Sequence, residues 1–197
     1  MTRLAPLLLI IALFLPGCRE DKPFPKLTAE DNVLLAEKAD EKIGIIIREN
    51  LPSLFAGVVV FRSDAFLSES HRLDKAGISV LNMFGNTAIL LLNSPDIPPL
   101  LKEPSIKKMY YLCRQGALAR FHPTFEMEML RRFGEGKGDD PISFDIRFQT
   151  PPEEKDDKVV EAAGFTVLTR EGYVWHVKGP LRYLYRLLEI DRIIFYE

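Results

Sequence analysis

The amino-acid sequence contains an internal repeat, and this repeat constrains the fold more than any other feature. Residues 56–109 align with residues 143–196 without a gap when the chain is displaced by 87 positions. Nine of the 54 aligned pairs are identical: Phe61/Phe148, Ala76/Ala163, Gly77/Gly164, Val80/Val167, Leu81/Leu168, Gly85/Gly172, Leu100/Leu187, Leu101/Leu188 and Ile106/Ile193. The matched glycines lie where helix ends or turns are expected, and the matched apolar residues lie where a core is expected. The chain is therefore predicted to contain two copies of one fold.

Each copy shows the same predicted order of elements. A strand comes first, and an amphipathic helix follows that ends at Gly77 in one copy and at Gly164 in the other. A hairpin then turns at Gly85 or Gly172, and a second helix and a closing strand complete the copy. This order is the ferredoxin-like βαββαβ topology. The fold is therefore predicted to be α+β, with two tandem ferredoxin-like units.

The remaining sequence divides around these two units. The predicted segments are a signal peptide (1–17), a tether (18–27), an added helix with the first unit (28–112), a connector (113–141) and the second unit (142–197). Apolar residues at helical spacing predict the added helix over residues 29–49. The connector is predicted to contain a linking helix, Thr124–Phe133, which ends at Gly134.

The two predicted sheets differ in the polarity of one face. In the second unit, apolar residues alternate with the polar residues Asp145, Arg147, His176 and Lys178, so one face is predicted to be open to solvent. This open face is a candidate surface for binding a partner, and a solvated surface without a specific role is the alternative. The equivalent residues of the first unit are all apolar: Val58, Val60, Ile89 and Leu91.

A bare apolar sheet face is unusual in a soluble monomer, so this face of the first unit must be covered. The helix predicted over residues 29–49 is the first candidate, through Leu35, Ala39, Ile43 and Ile47. The linking helix of the connector is the next candidate.

The N-terminal residues have the pattern of a secretory signal peptide. Arg3 supplies one positive charge, and an apolar run over residues 4–15 is interrupted only by Pro6. A helix of that length would extend about 18 Å, which is too short for a hydrocarbon core of about 30 Å. A permanent transmembrane helix is therefore not expected here.

The four residues Leu15-Pro16-Gly17-Cys18 resemble the lipobox of bacterial lipoproteins. The resemblance implies cleavage before Cys18, lipid on its thiol and attachment to a membrane of the bacterial cell envelope. In that family an Asp after the cysteine retains the protein at the inner membrane. Arg19 stands here instead, which favours the periplasmic face of the outer membrane. The alternative is an ordinary signal peptide with an incidental cysteine.

Composition excludes some partners and chemistries. Loss of Arg3 with the signal peptide leaves 25 basic against 28 acidic residues, and this balance offers no basic surface for nucleic acid. With Cys18 lipidated, Cys113 is the one remaining thiol, and its apolar surroundings predict a buried structural residue. The histidines have no partner at metal-ligand spacing, and no nucleophile elbow or phosphate-binding loop is present. No catalytic, cofactor or metal site is therefore predicted.

A second resemblance concerns residues 76–111 and 163–197. The order of Ala-Gly, alternating strand, hairpin, Leu-Leu helix and Ile-containing strand is similar to that of subtilisin-type propeptide inhibitor domains. Those domains are ferredoxin-like folds that bind a protease and assist its folding.

Three functional classes follow from the sequence: a non-catalytic envelope module that binds a protein or peptide, a propeptide-like inhibitor or chaperone, and a small-ligand sensor or enzyme using the groove between the units. The missing catalytic constellations disfavour an enzyme. In the propeptide family a tail after the last strand enters the protease active site, whereas the second unit stops at Glu197 directly after its strand, which disfavours classical inhibition. The first class is therefore preferred.

Overall fold

The computed structural model describes residue 24 and residues 26–51, 53–63, 66–114 and 117–197. The predicted signal peptide and Cys18 lie outside the described residues. The first unit and its N-terminal extension contain α1 (Ala29–Lys38), α2 (Glu41–Arg48), β1 (Leu54–Phe61), α3 (Phe66–Lys75), β2 (Ser79–Phe84), β3 (Thr87–Asn93), α4 (Ile97–Leu101) and β4 (Ile106–Arg114). The connector contains α5 (Pro123–Gly134). The second unit contains β5 (Pro141–Phe148), α6 (Glu154–Ala162), β6 (Thr166–Glu171), β7 (Val174–Pro180), α7 (Leu184–Leu188) and β8 (Ile193–Tyr196).

The strands form two four-stranded antiparallel sheets with the same topology. Their orders are β2-β3-β1-β4 and β6-β7-β5-β8, so each unit places its first strand between its third and fourth. The registers also correspond, since Val58 pairs with Ile89 and Asp145 pairs with His176. The prediction of an α+β fold with two tandem ferredoxin-like units is confirmed.

Residues that are identical in the two copies of the sequence repeat occupy equivalent backbone positions. Gly77 and Gly164 follow α3 and α6 with φ of 74° and 95°, the left-handed conformation that ends many helices. Both β2 and β6 also contain a register shift, in each case at the leucine that the repeat matches, Leu81 or Leu168. A bulge bends an edge strand and interrupts its free hydrogen-bonding groups. The identical leucines therefore mark a shared irregularity that discourages pairing with another chain.

The structural repeat extends further than the sequence repeat. Ala39 forms a parallel bridge with Met109 on the outer edge of β4, and Phe121 forms the same bridge with Tyr196 on β8. Met109 and Tyr196 are separated by the repeat interval of 87 residues. In each case the next residue caps a helix, since Asp40 caps α2 and His122 caps α5.

The added N-terminal helix differs from its prediction. One helix was predicted over residues 29–49, but the structure has two, α1 and α2, separated at Ala39-Asp40. The Asp40 carboxylate accepts hydrogen bonds from the backbone N–H groups of Ile43 (2.8 Å) and Tyr111 (2.6 Å). Asp40 therefore caps α2 and ties it to β4, and these two bonds explain why the helix is interrupted.

The prediction that this N-terminal helix covers Val58, Val60, Ile89 and Leu91 is wrong. Val58, Val60 and Ile89 are buried in a cluster with apolar residues of α5, while Leu91 is only half-buried. The apolar residues of α1 and α2 instead join a second cluster on the opposite face of the sheet: Leu35, Ala39, Ile43, Ile46 and Ile47 with Phe55 and Val59. The linking helix, which was the second candidate, therefore covers the face of the first sheet that contains Val58, Val60 and Ile89.

Helix α5 packs against both units. Glu126 forms a hydrogen bond with Asn82 of β2, and Phe133 packs against the ring of Tyr110 on β4 at 4.6 Å. On the side of the second unit, the Phe125 ring lies 4.9 Å from that of Phe144. Because one apolar cluster includes α5, the covered face of the first sheet and the interior of the second unit, the two units share a core.

Packing within the two units is complementary rather than identical. Gly57 corresponds to Phe144, and Leu92 corresponds to Gly179. The glycine and the large side chain have therefore exchanged strands between the two units. A Cβ on Gly57 would lie 2.8 Å from Leu92 Cδ1, and a Cβ on Gly179 would lie 2.5 Å from the Phe165 ring. Each glycine therefore leaves the space that a neighbouring large side chain fills.

Candidate functional site

The open face predicted for the second unit is present on its four-stranded sheet. Apolar residues of β5 and β7, among them Ile146 and Trp175, point into the core. The alternate residues Asp145, Arg147, His176 and Lys178 are exposed or half-buried. The structure thus brings the four candidate residues together on one surface, which is called the open face below.

Asp145 and His176 contact each other on this surface. The Asp145 Oδ1 atom lies 2.6 Å from His176 Nδ1, and the two side chains retain exposed fractions of 48% and 39%. Asp145 also exchanges two backbone hydrogen bonds with Glu197 beyond β8. A shallow depression of about 210 Å³ lies beside the pair and is lined also by Thr169 and Glu171. The surface has the mixed charge and accessibility of a contact surface, not the enclosure of a catalytic pocket.

Both edges of this sheet are obstructed. Phe121 and His122 cover the outer edge of β8, where the His122 N–H donates to the Tyr196 carbonyl at 2.9 Å. The opposite edge is β6, which the register shift at Leu168 interrupts. Side chains of the open face are therefore better placed than the edge backbone to contact a partner.

A cleft lies between the two units, where the third functional class places a ligand, but the sequence did not identify the residues that line it. It has a volume of about 390 Å³ and is lined by Ala39, Asp40, Glu41, Lys42, Lys108, Tyr110, Asp139, Arg182, Tyr183 and Tyr185. Tyr183 and Tyr185 are half-buried and line this cleft, whereas Tyr196 of β8 is fully buried.

Burial in this region raises the pKa of several groups. Burial raises the pKa of Tyr110, and the nearby carboxylates of Asp139 and Asp40 raise it further. Burial also raises the pKa of the Asp40 carboxyl, against the opposing effect of its backbone hydrogen bonds. The Tyr110 phenol therefore stays protonated at neutral pH and can donate a hydrogen bond.

Cys113 is buried, as the sequence predicted. Burial raises the pKa of its thiol to about 12, so the reactive thiolate is scarce at neutral pH. A second cavity of about 300 Å³ lies beside it, where Arg120 donates to the backbone carbonyls of Leu188 (3.3 Å) and Ile193 (3.1 Å). These bonds give Arg120 a structural role in joining the connector to the second unit.

The other candidate chemistries lack a site in the described part of the chain. No group of three or more His, Cys, Asp or Glu residues there is arranged to hold a metal ion. His71 is exposed on α3, while His122 caps α5 through its Nδ1 atom, 3.3 Å from the Thr124 nitrogen. Within the same described ranges, every helix is too short or too polar to cross a bilayer.

The chain matches no family model, no curated protein and no solved structure.

Proposed function

We propose that this chain is a non-catalytic lipoprotein of the bacterial envelope that binds a protein or peptide through the open face. The proposal rests on one observation: the two sheets are equivalent, but only one has its second face covered. Helix α5 buries Val58, Val60 and Ile89 of the first unit, while their equivalents Asp145, Arg147 and His176 remain accessible.

The polarity of the open face supports recognition of a partner rather than permanent burial. A face that is always covered favours apolar residues, as in the first unit, because burying an unpaired charge is costly. The open face instead carries Arg147 and Lys178 beside Asp145 and Glu171. Charges of both signs can select a partner and its orientation by electrostatic complementarity without a deep pocket.

Crosslinking in cells tests this proposal. Asp145→Lys combined with Arg147→Glu reverses two charges and leaves the net charge unchanged. Because the Asp145–His176 pair is half-exposed, its loss should cost at most about 1 kcal/mol, and the fold should persist. We expect the crosslinked partner of the wild-type protein to be lost in this double variant.

A matched control places the same charge reversals elsewhere on the second unit. Lys158→Glu with Glu161→Lys alters exposed residues of α6, which packs on the opposite face of the sheet. This control should retain the wild-type partner. Identical partners in all three proteins would refute a role for the open face, and loss in both double variants would show that local charge is not what the partner recognises.

The lipid anchor is the second part of the proposal, and the lipobox residues carry it. Cys18→Ala should abolish incorporation of labelled fatty acid and leave unprocessed precursor in the membrane fraction. Globomycin, which inhibits the lipoprotein signal peptidase, should make the wild-type protein accumulate as an uncleaved precursor that still incorporates the fatty acid. A mature protein of unchanged mass in both experiments would contradict lipidation. Fractionation of the two membranes then tests the expectation from Arg19 that the protein is in the outer membrane.

A further inference from the structure

The cleft between the two units has the composition of a small-molecule site. Its walls come from the start of α2, the β4 edge, the connector and the segment before α7, so neither unit forms it alone. Its volume of about 390 Å³ is within the range of ligand pockets, which commonly lie between domains. None of the four candidate residues of the open face lines it.

The charged groups of this cleft balance one another. Three basic residues, Lys42, Lys108 and Arg182, face three acidic residues, Asp40, Glu41 and Asp139.

Most of these charges already have partners within the protein. Arg182 pairs with Asp139 at 2.7 Å, and Lys42 pairs with Glu189 at 3.4 Å. Both carboxylate oxygens of Asp40 accept backbone hydrogen bonds. A strongly charged ligand would meet like charges and would have to displace these pairs, so the lining disfavours both anions and cations.

The tyrosines retain hydrogen-bonding capacity for a neutral ligand. The Tyr183 hydroxyl oxygen accepts a hydrogen bond from Arg182 (2.9 Å), and the Tyr185 hydroxyl oxygen accepts one from Arg186 (3.1 Å). Each phenol proton is therefore available to donate to a third group. Lys108 donates to the Glu37 carbonyl at 2.9 Å and has further N–H donors.

We infer that the cleft binds a neutral saccharide. A sugar offers several hydroxyl groups, each able to donate and accept, and carries no charge that must be neutralised. It can accept from the phenols of Tyr183 and Tyr185 and from Lys108, and it can donate to Glu41, without breaking the internal ion pairs. The guanidinium groups of Arg182 and Arg186 lie 4.7 Å and 4.3 Å from the centre of the Tyr183 ring, so this side chain is already ordered and its hydroxyl group is held in place for a ligand. This inference does not depend on the proposed partner-binding surface.

Saturation-transfer difference NMR on the full-length protein tests the inference. The protein is kept in a zwitterionic detergent, because alkyl glycoside detergents themselves present sugars. The probes are neutral trisaccharides of glucose, mannose and N-acetylglucosamine, compared with the cationic glucosamine trimer and the anionic galacturonic acid trimer at mildly acidic pH. We expect at least one neutral trisaccharide to bind at millimolar concentration or below, and the two charged trimers to bind about ten-fold more weakly or not at all.

Substitutions locate the binding. Tyr183→Phe with Tyr185→Phe removes only two hydroxyl groups from the cleft and should weaken the bound trisaccharide about ten-fold or more. Tyr173→Phe is the matched control, because this tyrosine is half-exposed in the turn between β6 and β7, outside the cleft. The melting temperatures of both variants establish that the fold is intact. Failure of all neutral probes to bind, equal binding of charged probes, or equal weakening in the control would each overturn the inference.

Discussion

Helix α5 offers the sharpest test of the shared core. Leu130 lies one helical turn from Glu126 and one turn from Gly134, which contact the β2–β3 hairpin through Asn82 and Asn86. This spacing directs Leu130 towards the first sheet. Its side chain is fully buried in the cluster that also contains residues of the second unit.

Leu130→Ala should therefore destabilise both units together. Truncating a fully buried leucine costs about 2–5 kcal/mol, because transfer energy is lost and a cavity remains. With a central cost of about 3 kcal/mol and a urea dependence of about 2 kcal/mol per molar, the unfolding midpoint should fall by about 1.5 M. Met127→Ala on the same helix should change stability by less than about 0.5 kcal/mol, because Met127 is 50% exposed.

Two spectroscopic signals distinguish joint from separate unfolding. The fluorescence of Trp175, the sole tryptophan, reports the core of the second unit, while far-ultraviolet circular dichroism reports both units. We expect the two signals to follow one coincident transition in the wild-type protein and in Leu130→Ala. A circular dichroism transition that moves or splits while that of Trp175 stays at the wild-type midpoint would refute the shared core.

Three further predictions concern single side chains. Asp40→Ala should lower the free energy of unfolding by about 2–4 kcal/mol in urea titrations, since it removes the α2 cap and leaves the Tyr111 N–H without its acceptor. Asp31 has a pKa of about 2, chiefly because Thr28 hydrogen bonds to its carboxylate. Asp31→Asn should therefore be destabilising near neutral pH, and this difference from wild type should vanish as pH falls from about 4 through 2. Gly179→Ala should cost about 1–3 kcal/mol in thermal unfolding, because its Cβ would overlap a buried ring and a backbone oxygen.

The expected pH dependence of the Asp31→Asn effect follows from the lowered pKa of Asp31 in the folded state. The folded protein holds this carboxyl ionised at pH values where the unfolded chain protonates it, so the stabilisation exists above the unfolded value of 3.8 and is lost below it. A variant that remains equally destabilised at pH 2 would contradict that origin. For Asp40, the informative comparison is Asp40→Asn, which keeps one acceptor oxygen and should be intermediate. Gly179→Ala with wild-type stability would show that the Phe165 ring moves freely.

The repeat allowed much of the fold to be predicted from sequence. Backbone requirements are local, so Gly77 and Gly164 could be assigned to helix ends before their positive φ angles were known. Alternation along β5 likewise separated Ile146 from Asp145 and identified the open face. These predictions succeeded because the preference of a residue for a turn, or for one side of a strand, depends on the residues next to it in the sequence.

The partner of each buried face was decided only by the tertiary structure. The sequence showed that Val58 and Ile89 must be covered, and it offered two apolar helices that could do so. Hydrophobic burial is non-directional, so an apolar stripe indicates that a surface is buried but not against which element. The choice depended on Asp40, whose carboxylate ties α2 to the edge of β4, so that the face of the first sheet with Val58 and Ile89 is covered by α5. The cleft has the same origin, since Tyr110 and Tyr183 become neighbours only when the two units share a core.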